Sequence, residues 1–507
     1  MGDNSSREES QRRPVSRRQF VKAAGATGVV AGLAGCAGGD GGDGNGSGNG
    51  SGGGSTGGGS GSVSITWATD PNINDNWGEL EPVLRDAGGL PDNIDVEINA
   101  LPQDSGQRQS QLQQWLGAQR SSPEVLHMDV GWTIPYIGRD QTLNLTEALG
   151  EERANAIKEN HFDAQIKSLS DPETGDIHGV PVYPDFPIMH YRKDLVEEAG
   201  YTPEEDGWST DPPNWEEFSQ VAKETMEQTG TETGFTWQAK AYEGLACCDF
   251  NEFITAFGGA YFGNPEENLT GPLGERPITV TDEPVMTALE MGRTFIEGTD
   301  GSLEGYASDI SPASVLQWIE NPSLAPFTDG NAVMHRNWPY AIVESESNFE
   351  DFENMYGNMP IPGGVSEENA QYPGTGGPVS SLGGWNLTVN PYAQGDQKEA
   401  SLELAKAITA DEFRLKMFEV NGWVPAKPEL FNSDRARQVE PTGQFLDTLQ
   451  VSGENAMPRP VTVAWPQQSS QIAQSVNGVF SGSNQPGQAM EDLKNTLDQI
   501  EQEYAQG

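Results

Sequence analysis

The sequence predicts an α/β protein of two lobes, and three observations carry that prediction. The chain has 507 residues, more than one ordinary hydrophobic core absorbs, so two or three domains are expected. From Val63 onward, alternating segments and amphipathic helical segments follow one another in a βαβ rhythm, which favours an open parallel sheet covered by helices. The stretch Gly179–Leu195, GVPVYPDFPIMHYRKDL, reads as stiff extended backbone carrying the chain from one rigid body into another. Prolines at 181, 184 and 187 forbid helix there and remove ladder donors, which suits the margin of a sheet. Tyr183 and Asp185 set an aromatic face and a carboxylate on this segment.

Charge narrows the range of partners. With 76 Asp plus Glu against 29 Lys plus Arg, the net charge of −47 repels nucleic acid phosphates and anionic membrane surfaces, and both are set aside as partners. The acid is spread along the chain. Beside 12 Trp and 18 Phe, that dispersion reads as a folded protein kept hydrated in concentrated salt, where self-repulsion is screened. A halophilic source is the expectation.

The N-terminal region reads as an address and a tether. Ser16–Lys22, SRRQFVK, precedes a short apolar run, Ala23–Leu33, and then Leu33-Ala34-Gly35-Cys36. Twin arginines ahead of a run too short to span a bilayer mark an export signal. The pattern resembles a twin-arginine signal peptide ending in a lipobox, which implies removal of residues 1–35 and lipidation of Cys36. Residues 37–62 are nearly all Gly, Ser, Asn and Asp, a flexible tether with a reach of about 25 to 30 Å. The GxSxG match at Gly53–Gly57 lies in this polyglycine coil, away from any strand or helix, and carries no catalytic meaning.

In the folded body, VSITWA from Val63 alternates as a strand, Trp77–Ala87 reads as a helix, and IDVEINAL from Ile94 alternates again. Gln107–Gln119 puts Leu112, Trp115 and Leu116 on one helix face, and Glu124–Asp129 is a third strand. Asp129 then stands at a strand's carboxyl end, where open α/β sheets gather ligands, or caps the next helix. Beyond the Pro-rich segment, Lys193–Ala199 is a short helix. Trp215–Gln228 is a longer one, with Asn214 and Glu217 placed for a capping box. Phe235–Phe250 is aromatic and apolar around Glu243, which faces a pocket or sits buried and satisfied, the latter being slightly favoured. Cys247 and Cys248 are adjacent, where disulfide geometry is unfavourable, so no ordinary internal bridge is expected.

Three later stretches share a device. GNAVMHRNWPY, Gly330–Tyr340, is a strand running into Trp338 and Tyr340. SSLGGWNLTVN, Ser380–Asn390, places two glycines ahead of Trp385. NAMPRPVTVAWP, Asn455–Pro466, holds Arg459 between prolines ahead of the closing helices.

Val180–Leu195, Tyr242–Phe250, Asn331–Ala341, Leu382–Asn390 and Asn455–Pro466, in this order behind a lipoprotein signal, together resemble the trehalose/maltose-binding branch of the extracellular solute-binding proteins, family 1. The resemblance covers essentially all of residues 63–507. It implies the type II periplasmic-binding-protein-like fold, two lobes of open mixed sheets flanked by helices and joined by three hinge crossings. The implied segments are 63–182 in lobe 1, 183–333 in lobe 2, 334–382 returning to lobe 1 and 383–507 completing lobe 2. Crossings fall near Val182–Asp185, Val333–His335 and Ser381–Gly384. Carried onto matching positions, the family's sugar contacts are Asp129, Tyr183, Asp185, Trp338, Tyr340, Gly384, Trp385 and Arg459. The glutamate expected shortly after the first strand has no clear counterpart, with Asn74 and Asp75 in that neighbourhood. The resemblance implies a monomeric, non-enzymatic lipoprotein on the outer face of the membrane. It would deliver sugar to the permease subunits of an ABC importer whose ATPase is a separate chain.

The side-chain chemistry agrees. Sugars offer apolar C–H faces to Trp338 and Trp385, hydroxyl donors to Asp129 and Asp185, and acceptors to Arg459. The rival class is a secreted glycoside hydrolase, for which Asp129, Asp185 and Glu243 supply carboxylates, but nothing in the sequence fixes a pair at hydrolytic separation. A non-transport surface glycan-binding protein is the second rival. His127, His161, His178, His190 and His335 show no metal-ligand spacing, and no cofactor is expected.

Overall fold

Alternation and β-branched residues at Val63–Thr69 form β1, which pairs in parallel with β2 (Ile94–Ala100) and with β3 (Val125–Asp129). The computed structural model describes residues 61–506; the expected signal peptide, Cys36 and all but the end of the tether lie outside them. The other strands are β4 (Gly179–Asp185), β5 (Ile188–Arg192), β6 (Thr233–Thr236), β7 (Ala332–Asn337), β8 (Tyr356–Met359), β9 (Ser380–Val389) and β10 (Ala456–Pro458). The first sheet runs β10-β9-β3-β1-β2, with β4 also on β9, and the second runs β6-β7-β5-β8. Antiparallel β9 makes the first sheet mixed, and helices flank both, giving a two-lobed α/β fold of the periplasmic-binding-protein kind.

Local chemistry places the helices. Asn214 accepts from the Glu217 amide at 3.0 Å and Glu217 reaches back, closing the capping box of Trp215–Thr229, and Gly230 ends that helix at φ +75°. In Ser105–Gly117 the buried stripe is Arg108, Leu112 and Leu116, so a guanidinium occupies a position at core spacing.

Each lobe has its own core. Trp67, Leu80, Leu84, Val125, Leu387 and Phe413 are buried together in the first. The second is aromatic: Trp215, Phe235, Trp237, Phe253 and Phe480 pack there, with Trp215 edge-on to Phe253 at 5.1 Å. A smaller cluster, including Phe186, Ile188, Phe327, Ile342 and Phe418, lies beside the crossing from β4 to β5.

Prolines confine β4 to a sheet margin, because it ladders with β9 alone. Its other side is covered by side chains: Arg414 donates to the carbonyls of Pro181 (3.0 Å) and Val182 (3.2 Å), and Gln165 to that of Tyr183 (2.9 Å).

Strand pairing corrects the expected segment boundaries. β7 ladders with β5 and β6, so residues 334–337 stay in the second sheet and do not return to the first at Val333–His335. β9 ladders with β3 and β4, so 383–389 belongs to the first sheet, and Gly395–Ala407 packs on β1 and β9 behind it. The chain changes sheet at Phe186–Pro187 and on the approach to Ser380, and after β10 it passes to helices whose Trp465, Ile472 and Phe480 join the second core, so three crossings between lobes fall at these other places. Both displaced boundaries follow from the family resemblance, and the local sequence of β7 and β9 carries no record of which sheet each joins. Among the described residues no helix is long and apolar enough to cross a membrane.

Candidate functional site

β9 organises the site, since it is flanked by β3 on one side and β4 on the other. In register, Trp385 lies opposite both Asp129 and Tyr183, Gly384 opposite Pro184, and Gly383 opposite Asp185. Three stretches far apart in the sequence therefore deliver an indole, a phenol and two carboxylates to one place. The two glycines are required by close approach. Gly384 has φ +129°, and a Cβ there would stand 2.6 Å from the Tyr183 carbonyl oxygen. A Cβ on Gly383 would meet the Trp338 indole at 2.7 Å.

The cleft that results encloses about 860 Å³ of empty space, with open solvent at its mouth included. Asp70 follows β1 and Asp129 ends β3, so both stand at the carboxyl ends of parallel strands, where such sheets present ligand groups. Trp385 is braced edge-on by Trp132 at 5.3 Å and covered by Arg108 at 4.9 Å, and Arg108 pairs with Asp70 at 2.6 Å. Tyr183 stacks on Trp423, with centroids 4.1 Å apart. Across the cleft Trp338 follows β7 and rests against Arg336, whose guanidinium is 5.0 Å from the ring and is bound by Glu252 at 2.6 and 2.8 Å. Tyr340 gives its hydroxyl hydrogen to Asn321 at 3.1 Å.

Ionic contacts join the lobes over this space. Arg459, 4 % exposed, lies 2.9 Å from Asp129 and 3.1 Å from Glu243, and Trp132 donates to Glu243 at 3.0 Å. Lys240 meets Asp104 at 3.1 Å nearby. Gly131 makes room, since a Cβ on it would stand 2.9 Å from Arg459 Nη1. Burial raises the Asp129 carboxyl to about 6, with Arg459 opposing and Glu243 reinforcing the shift. Asp185 is pushed well above the usual carboxylate range, chiefly by burial, and Arg336 offsets part of this. Its Oδ1 is buried and has no hydrogen-bond partner among the described residues. A carboxylate oxygen left without a donor at a cleft is an acceptor position for a ligand.

The family described as Bacterial extracellular solute-binding protein matches residues 91–413. The chain belongs to that family. This solute-binding protein is 26% identical over 448 residues, 87% of its length and 94% of the relative's, to a Probable ABC transporter-binding protein of Deinococcus radiodurans. It also resembles the maltose-bound T. maritima MalE3 (TM-score 0.70, 25% identity, covering 86% of this chain and 98% of that one). A solute binding protein from Thermotoga lettingae bound with α-D-tagatose shares the fold (TM-score 0.67, 19% identity, 87% and 99% covered).

All eight residues expected from the sequence, Asp129, Tyr183, Asp185, Trp338, Tyr340, Gly384, Trp385 and Arg459, line this cleft of the solute-binding protein. Asp129 faces the cleft and does not cap the next helix, Thr133–Ile137, whose N-cap is Trp132; its Oδ1 instead accepts from the Gly131 amide at 2.7 Å in the turn after β3. Glu243, slightly favoured as a satisfied buried carboxylate, is at the cleft, where its partners are Arg459 and Trp132. Cys247 and Cys248, expected to form no ordinary bridge, are joined to each other. Asp70, Arg108, Trp132, Glu320 and Trp423 also line the cleft and were missed. Asp70 was legible by the strand-end rule that singled out Asp129, and Arg108 by its place on the buried stripe of its helix. Trp423 offered no local signal. Asn74 and Asp75, named for the first strand's neighbourhood, are not lining residues. Among the described residues no group of three or more His, Cys, Asp or Glu is placed to hold a metal ion.

Proposed function

We propose that this solute-binding protein captures a di- or oligosaccharide of the trehalose or maltose kind in its interlobe cleft and delivers it to the permease subunits of an ABC importer. A separate ATPase chain would drive uptake. The observation that carries the reading is the pairing of indoles from opposite lobes, Trp385 and Trp338, around the Asp185 carboxylate, whose Oδ1 has no partner among the described residues. Flat apolar C–H faces need such rings, and sugar hydroxyls need such acceptors. The maltose bound by the T. maritima relative points the same way.

Binding would couple to closure. Tyr183 and Asp185 stand on β4 directly before the Phe186–Pro187 crossing, and Arg459 links Asp129 to Glu243 across the cleft. A ligand touching all of these favours the closed arrangement by its differential contacts. Asp70, Asp129, Asp185, Glu243 and Glu320 outnumber Arg108 and Arg459 in the lining, which disfavours sugar phosphates and uronates relative to neutral sugars. The twin arginines and Cys36 support export in the folded state and a lipid anchor, and the net charge of −47 supports a high-salt setting.

The test is calorimetry of maltose, trehalose and longer glucans against the purified protein in molar potassium chloride. A neutral sugar should bind one per chain and raise thermal stability by about 2.7 kcal/mol at 100 times its dissociation constant. No heat and no thermal shift with any sugar would remove the reading, and release of hydrolysis product on prolonged incubation would replace it with a glycosidase.

A further inference from the structure

Cys247 and Cys248, joined as neighbours in sequence, both line the cleft. The turn that carries them is a single wide π turn, Leu245–Asp249, of the kind that often marks functional sites. Three bonds pin it. The Tyr261 hydroxyl donates to the Ala246 carbonyl at 2.8 Å, the Ser381 hydroxyl of β9 to the Cys248 carbonyl at 3.1 Å, and the Gln238 amide to Asp249 at 3.1 Å.

A stabilising cross-link is a poor account of this bridge. Disulfides stabilise mainly by closing loops in the unfolded chain, more so for longer loops. Here the partners are adjacent, so that contribution is at its smallest. The two cysteines are 3 % and 2 % exposed, anchored in the second lobe's core and bordering the cleft, so the bridge is held rigidly at the cleft wall. Their ring, closed through the intervening peptide, is rigid and carries a polarisable disulfide, and it loses no rotamer freedom when a ligand packs on it.

We infer that the Cys247–Cys248 disulfide is a ligand-contacting wall of the sugar site, packing against a C–H face of the bound saccharide as a non-aromatic counterpart of Trp338. The inference rests on the sugar reading of the same cleft. Oxidation state then sets affinity: a dithiol such as dithiothreitol transfers two electrons and two protons to the bridge, leaving two thiols and closing into its own cyclic disulfide. The free thiols lose the ring and turn independently.

The experiment compares maltose binding by calorimetry for the oxidised protein, the protein reduced with dithiothreitol, and Cys247→Ser/Cys248→Ser. Ligand-free melting is recorded for each, and thiol release is followed with and without saturating maltose. The expected result is about tenfold weaker binding in the reduced protein and in the variant, with ligand-free melting within about 2 °C of wild type and slower reduction under maltose. Unchanged affinity in both would overturn the inference. So would a loss of affinity accompanied by a large fall in ligand-free melting, which marks a structural cross-link. If the oxidised protein binds no sugar of the panel, the proposed function fails first and the inference falls with it.

Discussion

Arg459→Met removes the cation that two acidic groups share across the cleft. The guanidinium lies 2.9 Å from Asp129 and 3.1 Å from Glu243 and is nearly buried. Its loss leaves two carboxylates facing one another in a dry space. Breaking one side of a buried, hydrogen-bonded charge pair costs about 2 to 5 kcal/mol. Asp129, already raised to about 6 with Arg459 present, moves further up without it and takes a proton near neutrality, which limits the loss. The expected penalty on the closed arrangement at pH 7.5 is therefore about 2 to 3 kcal/mol, or about 30- to 150-fold weaker maltose binding. At pH 5.5 the wild-type Asp129 is itself largely protonated, so the gap between variant and wild type should shrink. Adding Asp129→Asn to Arg459→Met should recover part of the lost free energy, because the repulsion between the two carboxylates is removed and only Glu243, held by the Trp132 indole N–H, keeps an uncompensated charge. Titration calorimetry of these two variants, the Asp129→Asn single variant and the wild type at both pH values reads this directly. A loss under threefold, or one equal at both pH values and untouched by the second substitution, would refute the reasoning.

Other expectations concern the same cleft. Trp385→Ala should weaken maltose binding well over tenfold while circular dichroism stays that of the folded protein, and retained affinity would mean the stacking role belongs elsewhere. Gly384→Ala forces a Cβ to 2.6 Å from the Tyr183 carbonyl at φ +129°, and should cost about 2 to 4 kcal/mol of stability, visible as a lowered melting temperature. Asp185→Asn should raise ligand-free stability at pH 7, since burial makes the ionised form costly, yet weaken sugar binding by tenfold or more; equal affinity would remove Asp185 from the contacts. Wild-type affinity for maltose should be flat above about pH 7 and fall about tenfold by pH 5 as Asp129 protonates through about 6, a step that Asp129→Asn abolishes.

The fold was readable where local pattern decides it. Period-two alternation gave β1 and β2, the βαβ rhythm gave the fully buried β3, core spacing and the Asn214–Glu217 box gave Trp215–Thr229, and the prolines of 179–195 placed β4 at a margin. Strand order was not readable, because β7 and β9 are each an almost wholly buried strand with a Trp at or beyond its middle, and only long-range pairing tells which sheet takes them. The cleft followed the same division. Trp338, Trp385, Tyr183 and Asp185 stand in unusual local sequence, with Gly and Pro fixing their approach. Arg108 and Trp423 sit in ordinary helical or loop sequence, and only packing brings them to Trp385 and Tyr183.

The three crossings touch one another. Ser380 gives its hydroxyl hydrogen to the Pro187 carbonyl at 2.6 Å, and Met457 ladders beside Ser381. Threads tied side by side in this way oppose sliding of one half past the other and leave bending as the compliant direction. Because Asp185 and Gly384 sit within a few residues of those ties, a guest molecule would press close to the fulcrum, where a small displacement swings the distant rims through a wide arc.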